Sequence, residues 1–505
     1  MWMVREQRRA LKRLAFVGVG IITLLIGVAA WRVFFGPRPE ERDYRQELID
    51  LSRSIVPDTP EARANSERVE RAIELYRVIL EEEFDALAFE SQRTIGSSSV
   101  PWVRNLRGEF PFLPLSYRSE EEQEFILEYT RHIYDRYASE VGPLFDGMAA
   151  ESPVLAYRDL PMNALLFNIH WFDTMDLRNI AQWEIHRLLD AMDSGDSEGT
   201  ASAINRIAGM IASYDARVTL AESLIQTSIE ALLLKTIHGE LVDSANDPAV
   251  IRRVHEIMNR IFYDPPGFDV AFEGERLLSL SFIQALYSSG RERYASQDLD
   301  SFPRPWMLRI TITEQAFHDA FNNMYDQIIA VVRGSEQDSF DQILRDVRKQ
   351  GFPGGLAESL LPKLSGVVEA RRIHEIHVRT VLTALALEAY RAEHSRYPAT
   401  LAELVPRYLS EIPTDPFSLD GHPLRYRSEP SGDGCLLWSI GPDGVDDGGA
   451  LDGGELVRVA LDVDRLDALE LIAQGMRGRS WRGDIPLNVS YVPVREALRA
   501  TSEDR

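Results

Sequence analysis

The run R-A-E-H-S-R-Y-P-A-T-L-A-E-L-V-P-R-Y-L occupies residues 391–409. It is followed by I-P-T-D-P-F at 412–417, L-R-Y-R at 424–427 and L-L-W-S-I-G-P-D-G-V-D-D-G-G at 436–449. Read locally, a helix stops at Tyr397-Pro398, a short second helix follows, two strand-like runs come next, and an acidic glycine loop closes the series. Working back from this stretch, Val378, Val381, Leu382, Leu385, Ala389 and Ala392 share one face of a long helix over about 364–394.

The chemistry of the series sits in its last run. Asp443, Asp446 and Asp447 bring three carboxylates into five residues, with Asp452 and Glu455 close behind. Such groups repel one another unless something neutralises them. Hard cations such as calcium take six to eight oxygens from carboxylates, carbonyls and hydroxyls. The interleaved glycines let a short loop fold back so that those oxygens converge. The spacing is not that of an EF-hand, which needs D-x-[DN]-x-[DN]-G and a Glu at position 12. The alternative is an acidic turn without metal, since Asp-Gly is ordinary turn chemistry.

The order of helix, Tyr-Pro stop, Leu-Trp-Ser strand and Asp-Gly loop resembles the soluble domain of the major pseudopilins of type II secretion systems. That resemblance implies a small antiparallel sheet and a calcium ion held by the Leu437 carbonyl, Ser439, Asp443, Asp446 and Asp447. After Gly449 the chain reads Ala450-Leu451-Asp452-Gly453-Gly454 in place of the family's usual ending, so the last ligand is open. Residues 455–461 read as a final strand against 436–440, residues 466–477 as a helix, and the remainder as a tail.

Upstream the pattern is helical. Segments 66–84, 120–141, 313–332 and 340–349 carry apolar residues at helical spacing. The clearest block runs from Asp176 to Asp243. Leu177, Ile180, Trp183, Ile185 and Leu188 mark one helix, and Asp193-Ser194-Gly195-Asp196 makes a turn. Ile204, Ile207, Ala208 and Ile211 mark a second helix, and 220–241 a third, more apolar one. Helix, G-D turn and helix with small inner residues is the pattern of α-hairpins. It resembles the helical segment of bacterial envelope proteins, notably from planctomycetes, that end in an Asp-Gly-Gly loop. No strict repeat period is present.

At the N-terminus, Arg5, Arg8, Arg9, Lys12 and Arg13 face a single acid, Glu6, and residues 14–31 carry no charge. With Val33-Phe34-Phe35 extending the run, the segment is long enough to span a bilayer. The basic flank places the N-terminus in the cytoplasm and the bulk outside it. The competing reading is a signal peptide cleaved at Val28-Ala29-Ala30, but the apolar run continues past that site.

The expected architecture is therefore mainly α. A basic segment (1–13) precedes a transmembrane helix (14–35) and an α-helical extracytoplasmic domain (36–350). A small α+β pseudopilin-like module with a long lead-in helix (356–461) follows, then a C-terminal helix and tail (462–505). The break Gly351-Phe352-Pro353-Gly354-Gly355 is the expected boundary.

Composition narrows the function. Among 505 residues, 79 acids and 55 bases give a net charge of −24, which repels phosphate backbones and argues against nucleic-acid binding. The single Cys435 rules out an internal disulfide and reads as a small buried strand residue. His374-Glu375-Ile376-His377 has its histidines three apart, not the four of a zinc protease helix, and reads as a pair on a helix surface. His170-Trp171-Phe172-Asp173 and His186 read as satisfied core or groove residues. Neither a nucleophile elbow nor a phosphate loop follows a strand. The expectation is a membrane-anchored, non-enzymatic envelope scaffold that binds other envelope proteins. A divergent component of a secretion or pilus machine and an envelope hydrolase are the alternatives.

Overall fold

The computed structural model describes residues 39–95, 132–157, 160, 171–244, 248–262, 267–288, 313–333, 343, 345, 346, 349, 364–418, 420–428, 434–441, 444–446, 448, 485 and 486. They form a mainly helical protein with one small sheet. The expected membrane helix (14–35), the break at 351–355 and the segment 455–461 lie outside the described residues. Among the described residues, no helix is long and apolar enough to cross a membrane.

Helix α1 (Tyr44–Ile55) starts at Asp43, whose carboxylate accepts from the Gln46 amide at 3.2 Å. Helix α2 (Pro60–Ile95) starts earlier than apolar periodicity suggests, because Thr59 caps it. The Thr59 hydroxyl accepts from the Ala62 amide at 3.1 Å, and Pro60 sits where its missing N–H costs nothing. A π-helical turn (Tyr137–Val141) and a 3-10 turn (Gly142–Phe145) close the segment that reads as helix up to 141.

Helices α3 (Trp171–Asp193) and α4 (Ser197–Ala212) form the expected hairpin. Gly195 at the turn has φ +69°, a left-handed conformation that stops α3, and Asp196 caps α4 through the Gly199 amide at 2.9 Å. Helix α5 (Leu220–Ser244) packs along α3, and α6 (Pro248–Ile261) packs on α4. Helices α7 (Phe268–Tyr287) and α8 (Glu314–Val332) make a second antiparallel pair against which α1 lies. Helix α9 (Leu364–His394) packs on both α5 and α6.

After α9, Ser395 takes φ 58° and the expected short helix is a single 3-10 turn (Leu401–Leu404) with a Thr400/Glu403 capping box. Strands β1 (Arg425–Ser428) and β2 (Cys435–Ser439) pair antiparallel, with Tyr426 opposite Leu437. The other edge of β2 holds β3 (Ile485–Pro486), opposite Trp438 and Ser439. A strand from the region that reads as tail therefore pairs at this edge. Cys435 is buried in β2, as expected.

The apolar residues fall into two cores. The larger joins α2 to α6, α9, the 3-10 turn and β2. The smaller joins α1, the segment around Tyr157, α7 and α8. Within the smaller core, α7 crosses the turn before α5 at Val218. A Cβ on Gly274 would stand 1.8 Å from the Val218 carbonyl oxygen, so only glycine permits this approach.

Candidate functional site

The expected cation ligands come from one strand and one loop. Leu437 is fully buried in β2, and Ser439 at the end of the strand is buried as well. The Ser439 hydroxyl donates at 2.8 Å to Oδ1 of Asp415, and the Ile440 amide donates at 2.8 Å to Oδ2. Oδ1 also accepts from the Phe417 amide at 3.0 Å. Asp415 thus gathers the end of β2 and its own turn around one carboxylate. It belongs to I-P-T-D-P-F, where an Asp between prolines signals a side chain bonding its neighbouring backbone.

Asp446 is exposed and turned back onto the sheet. Its Oδ2 accepts from Arg425 Nε at 2.9 Å, and its Oδ1 from Trp438 Nε1 at 3.0 Å and the Gly448 amide at 3.1 Å. Partial burial works against its charge, yet these donors hold the carboxyl below its ordinary value. Asp443 and Asp447 lie outside the described residues. The loop therefore brings Asp446 beside the strand that carries Leu437 and Ser439, with its carboxylate on Arg425 and Trp438. Among the described residues, no group of three or more His, Cys, Asp or Glu side chains is arranged to hold a metal.

Further carboxylates are buried between helices. Glu388 on α9 accepts from the Tyr397 hydroxyl at 2.6 Å and from Arg391 Nε at 2.9 Å. Glu222 on α5 accepts from the Tyr157 hydroxyl, from Thr219 at 2.8 Å and from Arg217 at 3.2 Å. Glu184 on α3 accepts from Tyr137 in the π-helical turn at 2.6 Å, with Arg206 of α4 at 3.5 Å. Burial raises the carboxyl of Glu184 despite these partners.

The fourth constellation corrects the reading of His374 as a surface residue. Only 5% of His374 is exposed, and its Nε2 stands 2.5 Å from Oε2 of Glu230, itself 4% exposed on α5. Periodicity misplaced it because α9 is covered by α5 and α6 on two sides, so the buried arc is wider than a single apolar stripe. Burial pushes Glu230 up, but the His374 imidazole and Arg371 outweigh it and hold the carboxyl below its ordinary value. Asp215, in the turn between α4 and α5, accepts from Gln226 Nε2 at 3.3 Å. Burial and the charge of Glu230 push Asp215 up to about 7. The signal for this cluster was a lone Glu in the apolar run Ile229-Glu230-Ala231-Leu232-Leu233-Leu234.

Other histidines follow local rules. His255 is buried on α6 against Asn259, and burial alone lowers it to about 4. His186 is exposed, with its ring 5.9 Å from that of Trp183, and not a core residue. His170 and the side chains of residues 171–173 lie outside the description. No family model, curated protein or solved structure was found to match the chain.

Proposed function

We propose that this chain is a single-pass membrane protein with a cytoplasmic N-terminus and an extracytoplasmic body. The body is a non-enzymatic scaffold whose helical hairpins bind other envelope proteins. Its pseudopilin-like C-terminal module is stabilised by calcium, with Leu437, Ser439, Asp443, Asp446 and Asp447 as ligands. The anchor rests on the basic flank and charge-free run at the N-terminus.

The observation that carries the scaffold reading is how the buried carboxylates are used. Glu222 ties Tyr157 to the turn before α5, Asp415 ties its own turn to the end of β2, and Glu388 ties the end of α9 to Tyr397, each through both oxygens. That is the chemistry of cross-linking a rigid body. Helices α3 and α5, bridged by Arg178 to Ser228 at 3.0 Å, carry the exposed apolar side chains Met175 and Leu224. Exposed apolar groups on rigid elements are material for protein contacts.

Photo-crosslinking from Met175 and Leu224 of the full chain in intact cells tests the reading. Discrete adducts are expected at both positions, and none at exposed Glu198 on α4. Adducts with an outer-membrane secretin would favour the second reading, a divergent part of a secretion or pilus machine. The strand–loop order of the module, with Asp446 folded onto Trp438, supports that second reading. Uniform absence of adducts would overturn the scaffold.

A further inference from the structure

The residues that follow the proposed membrane span are bound to the body almost at once. Arg42 lies seven residues past Phe35, so its backbone stands within about 25 Å of the end of that span. One side chain from far along the sequence grips its main chain. The Arg42 N–H donates to Oε1 of Gln284 at 3.1 Å, and Nε2 of Gln284 donates to the Arg42 carbonyl at 3.0 Å. A single amide on α7 thus satisfies both backbone groups of one residue and fixes the direction in which the chain enters α1. The Arg42 side chain is held as well. Its Nε and Nη2 donate to the two oxygens of Glu47 at 2.8 and 2.5 Å, and its guanidinium lies 5.5 Å over the ring of Tyr44.

The grip continues along α1. Tyr44 is 3% exposed, and its hydroxyl hydrogen-bonds Nε2 of His318 on α8 at 3.1 Å. Arg45 Nη1 donates to the Leu160 carbonyl at 3.1 Å, Leu48 is fully buried in the smaller core, and the Ser52 hydroxyl donates to the Ala216 carbonyl at 2.6 Å. The direction of the chain follows. Ser52 bonds Ala216, and Gly274 abuts Val218 of the same turn. From Arg42 to Ser52 the chain therefore runs alongside α7 from Gln284 back to Gly274. Helix α8 lies antiparallel to α7: Tyr287 and Phe317 meet at the Gln284 end, with rings 6.5 Å apart, and Arg333 donates to Asp269 at 2.7 Å at the other.

We infer that residues 42–52 are a strap that sets the lipid headgroups against one end of the α7–α8 pair, the end formed by Arg42, Gln284 and His318. The pair then stands away from the bilayer, and the body does not swing on a linker. This inference rests on the N-terminal anchor proposed above. A flexible exit from a membrane span needs backbone that is free to reorient. Here the first described turn is tied to α7, to α8 and to the Leu160 carbonyl before α1 is two turns long. Anchor and body consequently move as one unit.

The test is the height of two dyes above the membrane, read by energy transfer to an acceptor on the headgroups. The full chain, with the buried Cys435→Ala, is reconstituted into phosphatidylcholine vesicles. One dye is placed by Asp319→Cys, an exposed position beside His318, and the other by Arg333→Cys, exposed at the far end of α8. Residue 319 is expected to lie nearer the headgroups by roughly 20 Å, the length of the fourteen residues of helix between them. Gln284→Ala, which lets go of Arg42, should shrink that difference. Equal heights in vesicles that retain the chain through a carbonate wash overturn the strap and leave the anchor standing. Release of the chain by carbonate overturns both. A height difference unchanged by Gln284→Ala also overturns the strap. Where that variant does not fold, the comparison of the two heights without it decides.

Discussion

At the scale of single residues, the chain buries carboxylates and differs from site to site in how it satisfies them. Glu275 on α7 accepts from the Leu220 amide but faces the charge of Glu222. It is 8% exposed, and burial together with the nearby charge of Glu222 pushes its carboxyl up to about 7, although the Leu220 amide works the other way. A carboxyl raised in the folded state stabilises the fold fully below its unfolded value of 4.5, and that contribution is lost as pH rises through about 7. Glu275→Gln keeps the neutral form at every pH. It is expected to raise stability at pH 8 by roughly 2–3 kcal/mol and to change little at pH 4.5, as measured by denaturant unfolding of the full chain. A variant as stable as wild type at pH 8 would show that Glu275 finds water or a cation when ionised. Such residues were hardly legible in the sequence. Periodicity shows which face of a helix is apolar, but Glu275, Glu222 and Glu230 are buried by neighbours far along the chain. Asp415 went unread as well, although its flanking prolines were a local signal of a fixed turn.

At the scale of elements, the legible features were those set by local chemistry. Helix α9 spans the residues that its apolar spacing marks, and the α3–α4 hairpin turns at Asp193-Ser194-Gly195-Asp196. Strands β1 and β2 fall on the runs around Tyr426 and Trp438. Capping decided the beginning of α2, where Thr59-Pro60 overrides a weaker apolar pattern. What was not legible is partner choice. Nothing around Ile485-Pro486 distinguishes it as the mate of Trp438 and Ser439, because a two-residue pairing carries almost no pattern. The crossing of α7 over the turn before α5 is likewise a long-range match. Gly274→Ala would set a methyl group 1.8 Å from the Val218 carbonyl oxygen, so α7 must move away from α5. A loss of about 1–3 kcal/mol is expected. Exchange should rise first in α7 and α8, which share the smaller core. A loss below about 0.5 kcal/mol would mean that α7 can shift away from the Val218 turn at little cost.

At the scale of the whole molecule, α9 decides what can be taken apart. One apolar core runs from α2 through α5, α6 and α9 to Leu437 and Ile440. The sheet and the helices therefore share α9, and an event in the acidic loop can be read in the larger core. This gives the proposed calcium site a readout in the melting of the intact chain. To ligate a cation, Asp446 must surrender part of what it now holds: Arg425 on Oδ2, or Trp438 and Gly448 on Oδ1. Arg425 is the natural competitor, being a cation already 2.9 Å from the carboxylate. Calcium that binds only the folded form adds roughly 2.7 kcal/mol at a hundredfold excess over its dissociation constant, and extracellular calcium modules in general call for up to about millimolar concentrations. The full chain in detergent should melt higher in millimolar calcium than in chelator. Asp443→Ala combined with Asp447→Ala should abolish the difference. Arg425→Ala should enlarge it at subsaturating calcium, because the ion no longer displaces a guanidinium. Identical melting of wild type in both buffers, with no heat of binding by calorimetry, would reduce the loop to an acidic turn neutralised by Arg425. In that case Arg425→Ala would leave Asp446 without its counter-charge and lower stability in either buffer.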